Sequence, residues 1–371
     1  MTALRFQPLN PTDFSKTLRS RVNAYFKDNN ISKTGNTEMF VKSAIMLTLF
    51  FGSLFVLSSG VVSSIPLIFG LYITAGIGMA GIGMGVMHDA IHGAYSNNKR
   101  LNKFMSYTMN LIGANATTWR IQHNVLHHTF TNIEASDDDI NTPIFLRFSP
   151  HAKKHWIQKY QHIYVWFFYG ISTLIWITAK DFVNAVRYHK MGHYKGNSKL
   201  WKEIVAITIW KAIYYTYALI LPMIFLPVAW WIVLLAFIGL HIITGLTVSI
   251  VFQAAHVMTD MDFPLPNKTG VIENDWAIHQ LATTANFSPN NRMLGWWIGG
   301  LNNQVEHHLF PNICHVHYKD ISKIVAEVAA EYGVPYHVKR TFGVAIVDHL
   351  TLLRELGHMD APVVEPATVV A

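Results

Sequence analysis

Residues 43–88 read SAIMLTLFFGSLFVLSSGVVSSIPLIFGLYITAGIGMAGIGMGVMH and contain no Asp, Glu, Lys or Arg. A second such run, AIYYTYALILPMIFLPVAWWIVLLAFIGLHIITGLTVSIVFQAAHVMT, covers residues 212–259. At about 1.5 Å per residue, each run forms a helical path of about 70 Å, enough to cross a hydrocarbon core of about 30 Å twice. Each run therefore predicts a hairpin of two transmembrane helices, with spans near 43–62, 66–87, 209–227 and 229–252.

The composition is that of a membrane protein. Hydrophobic residues make up 51% of the 371 residues and charged residues 14%, whereas about 25% charged residues is usual in soluble domains. The first 42 residues are polar, so we expect the chain to begin on the cytoplasmic side without a signal peptide. The single cysteine, Cys314, excludes a disulfide scaffold and a thiolate metal site. We expect an N-terminal segment over 1–42, a single domain over 43–355 and a tail over 356–371.

The placement of the 29 Lys and Arg residues predicts the orientation of the chain. They cluster outside the two apolar runs, and the hairpin turns near 58–66 and 222–227 contain none. The positive-inside rule then places both termini and the long middle section in the cytoplasm. We expect a multi-pass integral membrane protein, in the inner membrane if the cell is bacterial.

One further apolar segment, Ile163–Ala179, is rich in Trp and Tyr. Its 17 residues are at the short limit for a span, and a fifth crossing would move the basic C-terminal third to the opposite side. We therefore predict an interfacial or re-entrant helix here. The fold class predicted is an all-α integral membrane protein with four transmembrane helices, this interfacial helix and a cytoplasmic helical cap.

The formal net charge of +7 does not require nucleic acid as a partner. A basic face toward anionic lipid headgroups explains it, and so does attraction of a phosphate-bearing substrate. We expect the bilayer itself to be a partner and no nucleic acid to bind.

The chain contains 20 histidines, and seven of them fall in three short motifs that follow the predicted spans. The motifs are HDAIH at 88–92, HNVLHH at 123–128 and QVEHH at 304–308. In a helix, His88 and His92 lie on one face and can reach a single metal ion. In the second motif, positions i and i+4 place His123 and His127 on one face and turn His128 toward a second centre. His256 stands alone at the end of the last span.

The number and type of these side chains indicate the metal. Neutral imidazole suits Fe, Zn, Cu or Ni, so the ligand type alone does not identify it. Eight histidines exceed what one tetrahedral zinc ion uses and fit two metal ions with several nitrogen ligands each. The cytoplasmic helical cap is therefore predicted to hold a di-metal site. A nitrogen-rich site with open positions favours iron that handles dioxygen over hydrolytic zinc.

At these motifs the chain resembles the membrane fatty acid desaturases, the histidine-box enzymes with a non-haem di-iron centre. The third motif continues as QVEHHLFP, with glutamine in place of the first histidine, and in this it resembles front-end and sphingolipid desaturases and bacterial linoleoyl-CoA or acyl-CoA desaturases. Further similarities are WRIQHN at 119–124, QAAH at 253–256 and WAIHQLATTANF at 276–287. The resemblance covers roughly residues 40–355.

The resemblance implies metal ligation by the motif histidines and by His256. Gln304 occupies a position that is a ligand in histidine-bearing relatives, and His279 lies between His256 and the third motif, so each is a further candidate. Asp89 is expected to orient an imidazole by accepting its free ring proton. The implied ligands are His88, His92, His123, His127, His128, His256, His307 and His308, with Gln304 and His279 as open candidates.

The resemblance also implies the reaction and its partners. Two iron ions and dioxygen as co-substrate would remove two hydrogens from a fatty acyl chain and leave a double bond. The 42-residue N-terminal segment has no histidine and cannot hold a cytochrome b5 domain, so a separate electron donor is expected, of the ferredoxin type or of the cytochrome b5 type with its reductase. Two alternatives remain: a lipid or sphingoid hydroxylase on the same scaffold, and a histidine-rich metal transporter.

Overall fold

The computed structural model describes residues 4–194 and 196–360, with Asn197 described in its backbone alone. The described chain is mostly helical, as the apolar runs predict. Five helices are long and apolar enough to cross a membrane by length and composition: Thr37–Ser58, Ile65–His92, Trp156–Lys190, Ser198–Phe225 and Trp230–His256. Two pairs of short parallel strands, not foreseen in an all-helical fold, join Arg5–Phe6 to Val271–Ile272 and Ala285–Phe287 to His337–Lys339.

Four of the long helices overlap the four predicted spans, and each extends beyond its span at one end or at both. The Ile65–His92 helix continues through the whole HDAIH motif, and the Trp230–His256 helix ends on His256 itself. The segment predicted at 163–179 forms the centre of the 35-residue Trp156–Lys190 helix. The helix continues beyond its apolar residues because Asp181, in its polar C-terminal part, is buried and hydrogen-bonded to Thr118 and Lys211.

The chain divides into two compact units. Of the described residues, unit 1 comprises 4–34, 121–165 and 251–360, and unit 2 comprises those within 35–120 and 166–250. Besides parts of the long helices, unit 2 contains the short helices Lys99–Ser106, Thr108–Leu111 and Ala116–Arg120. Unit 1 contains the remaining described helices: Phe14–Asp28, Ile121–His127, His128–Phe130, Trp276–Ala282, Arg292–Trp297, Gln304–Leu309, His315–His317, Tyr318–Glu331 and Phe342–His358.

A buried ion pair joins two long helices of unit 2. Lys211 Nζ lies 2.7 Å from Asp181 Oδ2 and also donates to the carbonyl oxygens of Gly113 and Trp176. Asp181 accepts in addition from the Thr118 hydroxyl, at 2.9 Å. Because every charge in this pair is hydrogen-bonded, removal of one partner would leave an uncompensated buried charge, at a cost of about 3–5 kcal/mol.

The glycines of the second span allow close helix packing. A Cβ atom on Gly76 would lie 2.7 Å from the carbonyl oxygen of Leu240, and the Thr244 hydroxyl donates to the carbonyl oxygen of Gly76 at 3.0 Å. Small residues at such contacts let two backbones approach each other in a membrane.

The core of unit 1 holds the third histidine motif in place. The Phe14–Asp28 helix buries Phe14, Leu18, Val22 and Phe26. These side chains join one apolar cluster with Leu281, Val305, Leu309, Tyr318, Ile321 and Val325. Val305 and Leu309 flank the two histidines of the motif, so burial of the apolar side fixes the direction in which the histidines point.

The C-terminal helix of unit 1 is tied down by a buried arginine. Arg147 donates to the carbonyl oxygens of Leu356 and Met359, each at 2.7 Å, and so satisfies two groups at the end of the Phe342–His358 helix. The tail predicted from 356 thus begins inside a helix, and residues 361–371 of it lie outside the described residues.

Candidate metal centre

Three imidazole nitrogens of unit 1 converge on one point. His128 Nε2 lies 3.1 Å from His123 Nε2 and 2.9 Å from His307 Nε2, and the last two nitrogens are 3.3 Å apart. All three side chains are buried. Adjacent ligands of a six-coordinate ion with metal–nitrogen bonds of about 2.1 Å are themselves about 3.0 Å apart, so this triangle fits a transition-metal ion.

A second group in unit 1 comprises His127, His256 and His308. Each offers a ligand atom, and the three atoms lie within 4.8 Å of one another. The Nε2 atoms of His127 and His256 are buried and have no hydrogen-bond partner among the described residues. A buried nitrogen with no partner is costly unless a ligand satisfies it, and a metal ion does so.

The second motif divides between these groups differently from the helical expectation. The α-helical spacing predicted that His123 and His127 share a face, with His128 turned away. Residues Ile121–His127 instead form a π-helix, whose backbone hydrogen bonds join residues five apart. The His123 and His127 rings still stack, with centroids 5.4 Å apart, but His128 Nε2 lies beside His123 Nε2 in the first group and His127 belongs to the second.

Each histidine of the second group is oriented through its other ring nitrogen. Asp137 carboxylate oxygens lie 3.0 and 3.1 Å from His127 Nδ1. His256 Nδ1 donates to the carbonyl oxygen of Thr283 at 3.1 Å, and His308 Nδ1 donates to Gln280 Oε1 at 2.8 Å. These contacts orient each ring so that its Nε2 faces away from the supporting group.

In the first group, the His307 ring also has a hydrogen-bond partner at its other ring nitrogen. The Tyr318 hydroxyl lies 3.2 Å from His307 Nδ1, and Tyr318 is itself buried in the core of unit 1. Sequence reasoning missed Asp137, Gln280 and Tyr318. Of these three residues, only Asp137 had an indication in the sequence: it lies in a run of three aspartates, 137–139, that follows the second motif.

In unit 2, His88 and His92 lie on one face of their helix, as the spacing predicts. Their ring centroids are 4.9 Å apart and each ring packs against Trp119. They offer ligand atoms within 4.8 Å of each other. Asp89 Oδ1 is 3.7 Å from His88 Nδ1, which is an ion-pair distance and too long for a hydrogen bond.

The comparison with known proteins identifies the chemistry that uses such histidines. Residues 63–340, more than half of the chain, match the model of the fatty acid desaturase family. The chain belongs to the fatty acid desaturase family. As a desaturase it is an oxidoreductase of lipid metabolism, and the two groups of histidines in unit 1 fit the di-metal centre that the family resemblance implied.

Similar relatives share most of the length of this desaturase. It is 35% identical over 362 residues to the sn-1 linoleoyl-lipid 6-desaturase of Arthrospira platensis, with 96% of each chain covered. It is 34% identical over 365 residues to the enzyme of the same name from Synechocystis sp., covering 96% of this chain and 99% of the relative. It is 35% identical over 350 residues to the acyl-lipid (8-3)-desaturase of Physcomitrium patens, covering 93% of this chain and 72% of the relative.

Two candidate ligands of the desaturase have contrasting surroundings. His279 Nε2 lies 2.9 Å from the carbonyl oxygen of Thr131, so this nitrogen carries a proton and donates it. Burial lowers the pKa of His279 to about 4, and the ring is therefore neutral. Gln304 is fully buried, and neither atom of its amide has a hydrogen-bond partner among the described residues.

Two ionisable side chains near the metal-site histidines, His127 and Glu306, have pKa values raised above their usual range. Burial lowers the pKa of His127, but attraction to Asp137 and Asp139 outweighs this effect and raises the pKa to about 9 in the absence of metal. Burial raises the pKa of Glu306 to about 7, although Tyr336 and Asn286 both donate hydrogen bonds to its carboxylate. A carboxyl group with this raised pKa carries less negative charge beside His307 at neutral pH than an ordinary glutamate would.

Proposed function

We propose that this desaturase introduces a carbon–carbon double bond into a fatty acyl chain by means of two histidine-bound iron ions and dioxygen. The observation that carries the proposal is the convergence of His123, His128 and His307 on one point and of His127, His256 and His308 on another. The proposed ligand set also includes His88 and His92. The names of the relatives favour an acyl-lipid over acyl-CoA as the carrier of the chain.

Bound iron would supply the oxidising power to remove hydrogen from an unactivated methylene, which amino acids cannot supply. The side chains contribute orientation. Asp137, Gln280 and the carbonyl oxygen of Thr283 hold three rings through Nδ1, so their Nε2 atoms are oriented toward the position of the ion before it binds. Burial of every ligand in unit 1 excludes water from the reacting atoms.

We propose that His279 is a positioning residue and that Gln304 reaches the metal. His279 donates to the carbonyl oxygen of Thr131, and the Thr131 hydroxyl in turn donates to Gln280 Oε1, the acceptor of His308. Gln304 lies three and four residues before His307 and His308 on one short helix, where its unpartnered amide oxygen suits an iron ion or an iron-bound water.

We propose four membrane crossings, with the Trp156–Lys190 helix at the interface and with both termini and the histidines on the cytoplasmic side. Charge placement supports this topology. The Lys and Arg residues cluster in 1–42, 89–160, 181–202 and 260–371, and four crossings keep these four segments on one side. The aromatic residues of that helix support it too, since Trp156, Tyr160 and Phe167 are exposed. A separate ferredoxin or cytochrome b5 with its reductase would deliver the electrons.

A hydroxylase on the same scaffold is the nearest alternative, and the mass of the product separates the two. A desaturase removes two hydrogens, whereas a hydroxylase adds an oxygen. A metal transporter would need ligands at mid-depth in a span. His241, the one histidine in the middle of a predicted span, is instead hydrogen-bonded to the hydroxyls of Tyr214 and Thr173, at 2.8 and 3.1 Å.

The test combines iron analysis with product analysis. The purified protein is expected to hold about two iron ions per chain, and expression in a host of defined lipid composition is expected to yield new unsaturated chains.

His127→Ala and His88→Ala should each lower the iron content and abolish the new product. A matched control is His358→Ala, at an exposed histidine far along the chain from the motifs. Unchanged product from His127→Ala would overturn the assignment, and metal uptake into proteoliposomes would favour the transporter.

A further inference from the structure

Unit 2 contains a basic cleft beside the helix that carries the first histidine motif. Its volume is about 500 Å³, and Ala90 and Ile91, which lie between His88 and His92 in sequence, form part of its wall. The polar part of the wall comes from the Lys99–Ser106 helix, from Tyr107 just after it and from the Ala116–Arg120 helix, through Lys103, Ser106, Tyr107, Thr117 and Arg120.

The cleft has the chemistry of a phosphate site. Lys103 and Arg120 are exposed, and neither forms an ion pair with an acidic side chain in the part of the chain that the structure describes. No carboxylate is among the described lining residues. Two cations with hydroxyl groups beside them match the charge and the acceptor oxygens of a phosphate group, to which hydrogen bonds from charged donors are strong.

A second, apolar cleft of about 400 Å³ adjoins the first, and Tyr107 lines both. Its wall is formed by Leu47, Phe51, Phe104, Leu111 and Trp210. Almost none of this surface is polar, so it suits a hydrocarbon chain. A ligand that filled both clefts would have a phosphate at one end and a hydrocarbon next to it.

The helix between the clefts has the features of a membrane-surface helix. Lys99–Ser106 carries Lys99, Arg100 and Lys103, and its Phe104 side chain is 70% exposed. Several basic residues together with an exposed aromatic side chain are typical of helices that lie among lipid headgroups. This placement favours a membrane lipid over a soluble phosphate compound as the source of the ligand.

We propose that the basic cleft binds the phosphate of a membrane phospholipid that carries the acyl substrate, while the apolar cleft holds hydrocarbon of the same molecule. This inference rests on the proposed desaturase function. Because Ile91 precedes His92, a headgroup bound in the cleft is held next to the first metal-binding motif. The headgroup contact would then select phospholipid-linked chains over chains on neutral lipids.

Binding can be measured on the full-length protein in a neutral detergent, without iron loading or turnover. The probe is dihexanoyl-phosphatidylglycerol, and the comparison probes are dihexanoylglycerol, which lacks the phosphate, and free coenzyme A. Isothermal titration calorimetry is carried out on the wild type, on Lys103→Gln/Arg120→Gln and on the matched control Lys99→Gln/Arg100→Gln. The control also removes two positive charges, both from the helix that carries Lys103, but leaves the cleft lining intact.

We expect the cleft variant to weaken binding of the phospholipid about tenfold or more at about 0.1 M salt, and the control to change it less than about twofold. Unchanged elution on size exclusion shows that both variants remain folded. The proposal is overturned if dihexanoylglycerol binds as tightly as the phospholipid, if the control loses as much affinity as the cleft variant, or if coenzyme A binds more tightly than the phospholipid.

A failure of the proposed phospholipid site can be distinguished from a failure of the proposed desaturase function. Loss of phospholipid binding in the cleft variant supports the site even if no desaturation is detected. Desaturation together with wild-type binding in the cleft variant overturns the site and leaves the proposed reaction standing.

Discussion

Asp137 holds the His127 ring through Nδ1, at 3.0 Å, while Nε2 of the same ring has no partner among the described residues. A carboxylate on one nitrogen raises the basicity of the other and fixes its direction. The pair thus prepares one face of the ring for an ion. His256 and His308 repeat the arrangement with neutral acceptors, so within this group only His127 has a negative charge directly behind it.

We predict that Asp137→Asn lowers iron affinity and activity by about 10- to 100-fold, the usual effect of losing such a support. The amide keeps the shape and can still accept the Nδ1 proton, but it removes the charge. Asp138→Asn, a change in the same acidic run at a partly exposed position, is the control. Iron titration of the two purified variants measures the effect, and equal affinities would show that the charge of Asp137 has no role in binding.

We predict opposite results for two buried histidines that look alike in sequence. His256→Ala should lower iron content because an unpartnered Nε2 is lost, whereas His279→Gln should retain iron because Gln can still donate to the carbonyl oxygen of Thr131. Iron per chain, measured by mass spectrometry of the metal, separates them. A fall in iron for His279→Gln as large as that for His256→Ala would make His279 a ligand.

The contacts explain how far the sequence could predict the centre. Histidine spacing pointed to five of the six residues in the two converging groups, because short motifs depend on local helix geometry, and His256 was noted from its place at the end of a predicted span. The division of the second motif between the groups differed from the expectation, because the π-helix at Ile121–His127 has no clear sequence pattern. Gln280 and Tyr318 lie 28 and 11 residues from the rings they hold, and such distant pairings depend on packing.

The same limit applies to the helices. Charge-free runs located four of the long helices, since an absence of charge is a property of each segment alone. The length of Trp156–Lys190 could not be predicted, because its polar end depends on Asp181 and its partner Lys211 on another helix. The short strand pairs join residues far apart in the chain and leave no local pattern.

We predict that Gln304→Met lowers iron content without loss of stability in the metal-free protein. The substitution keeps the approximate volume of the side chain and removes a buried amide, whose lack of partners costs about 1–3 kcal/mol. The apparent melting temperature of the metal-free variant should therefore be equal to or above that of the wild type. A metal-free variant that melts well below the wild type would show that the amide has a structural partner instead.

The last prediction concerns the number of membrane crossings. In a Cys314→Ser background, single cysteines at the exposed positions Asp28, Val61 and Glu327 report three segments: the N-terminal one, the first hairpin turn and the C-terminal third. Four crossings place Asp28→Cys and Glu327→Cys on one side and Val61→Cys on the other. A membrane-impermeant maleimide applied to intact cells should therefore label Val61→Cys alone, and lysis should expose the other two. Labelling of Glu327→Cys in intact cells, with Asp28→Cys protected, would mean that the Trp156–Lys190 helix crosses the membrane and that the topology has five spans.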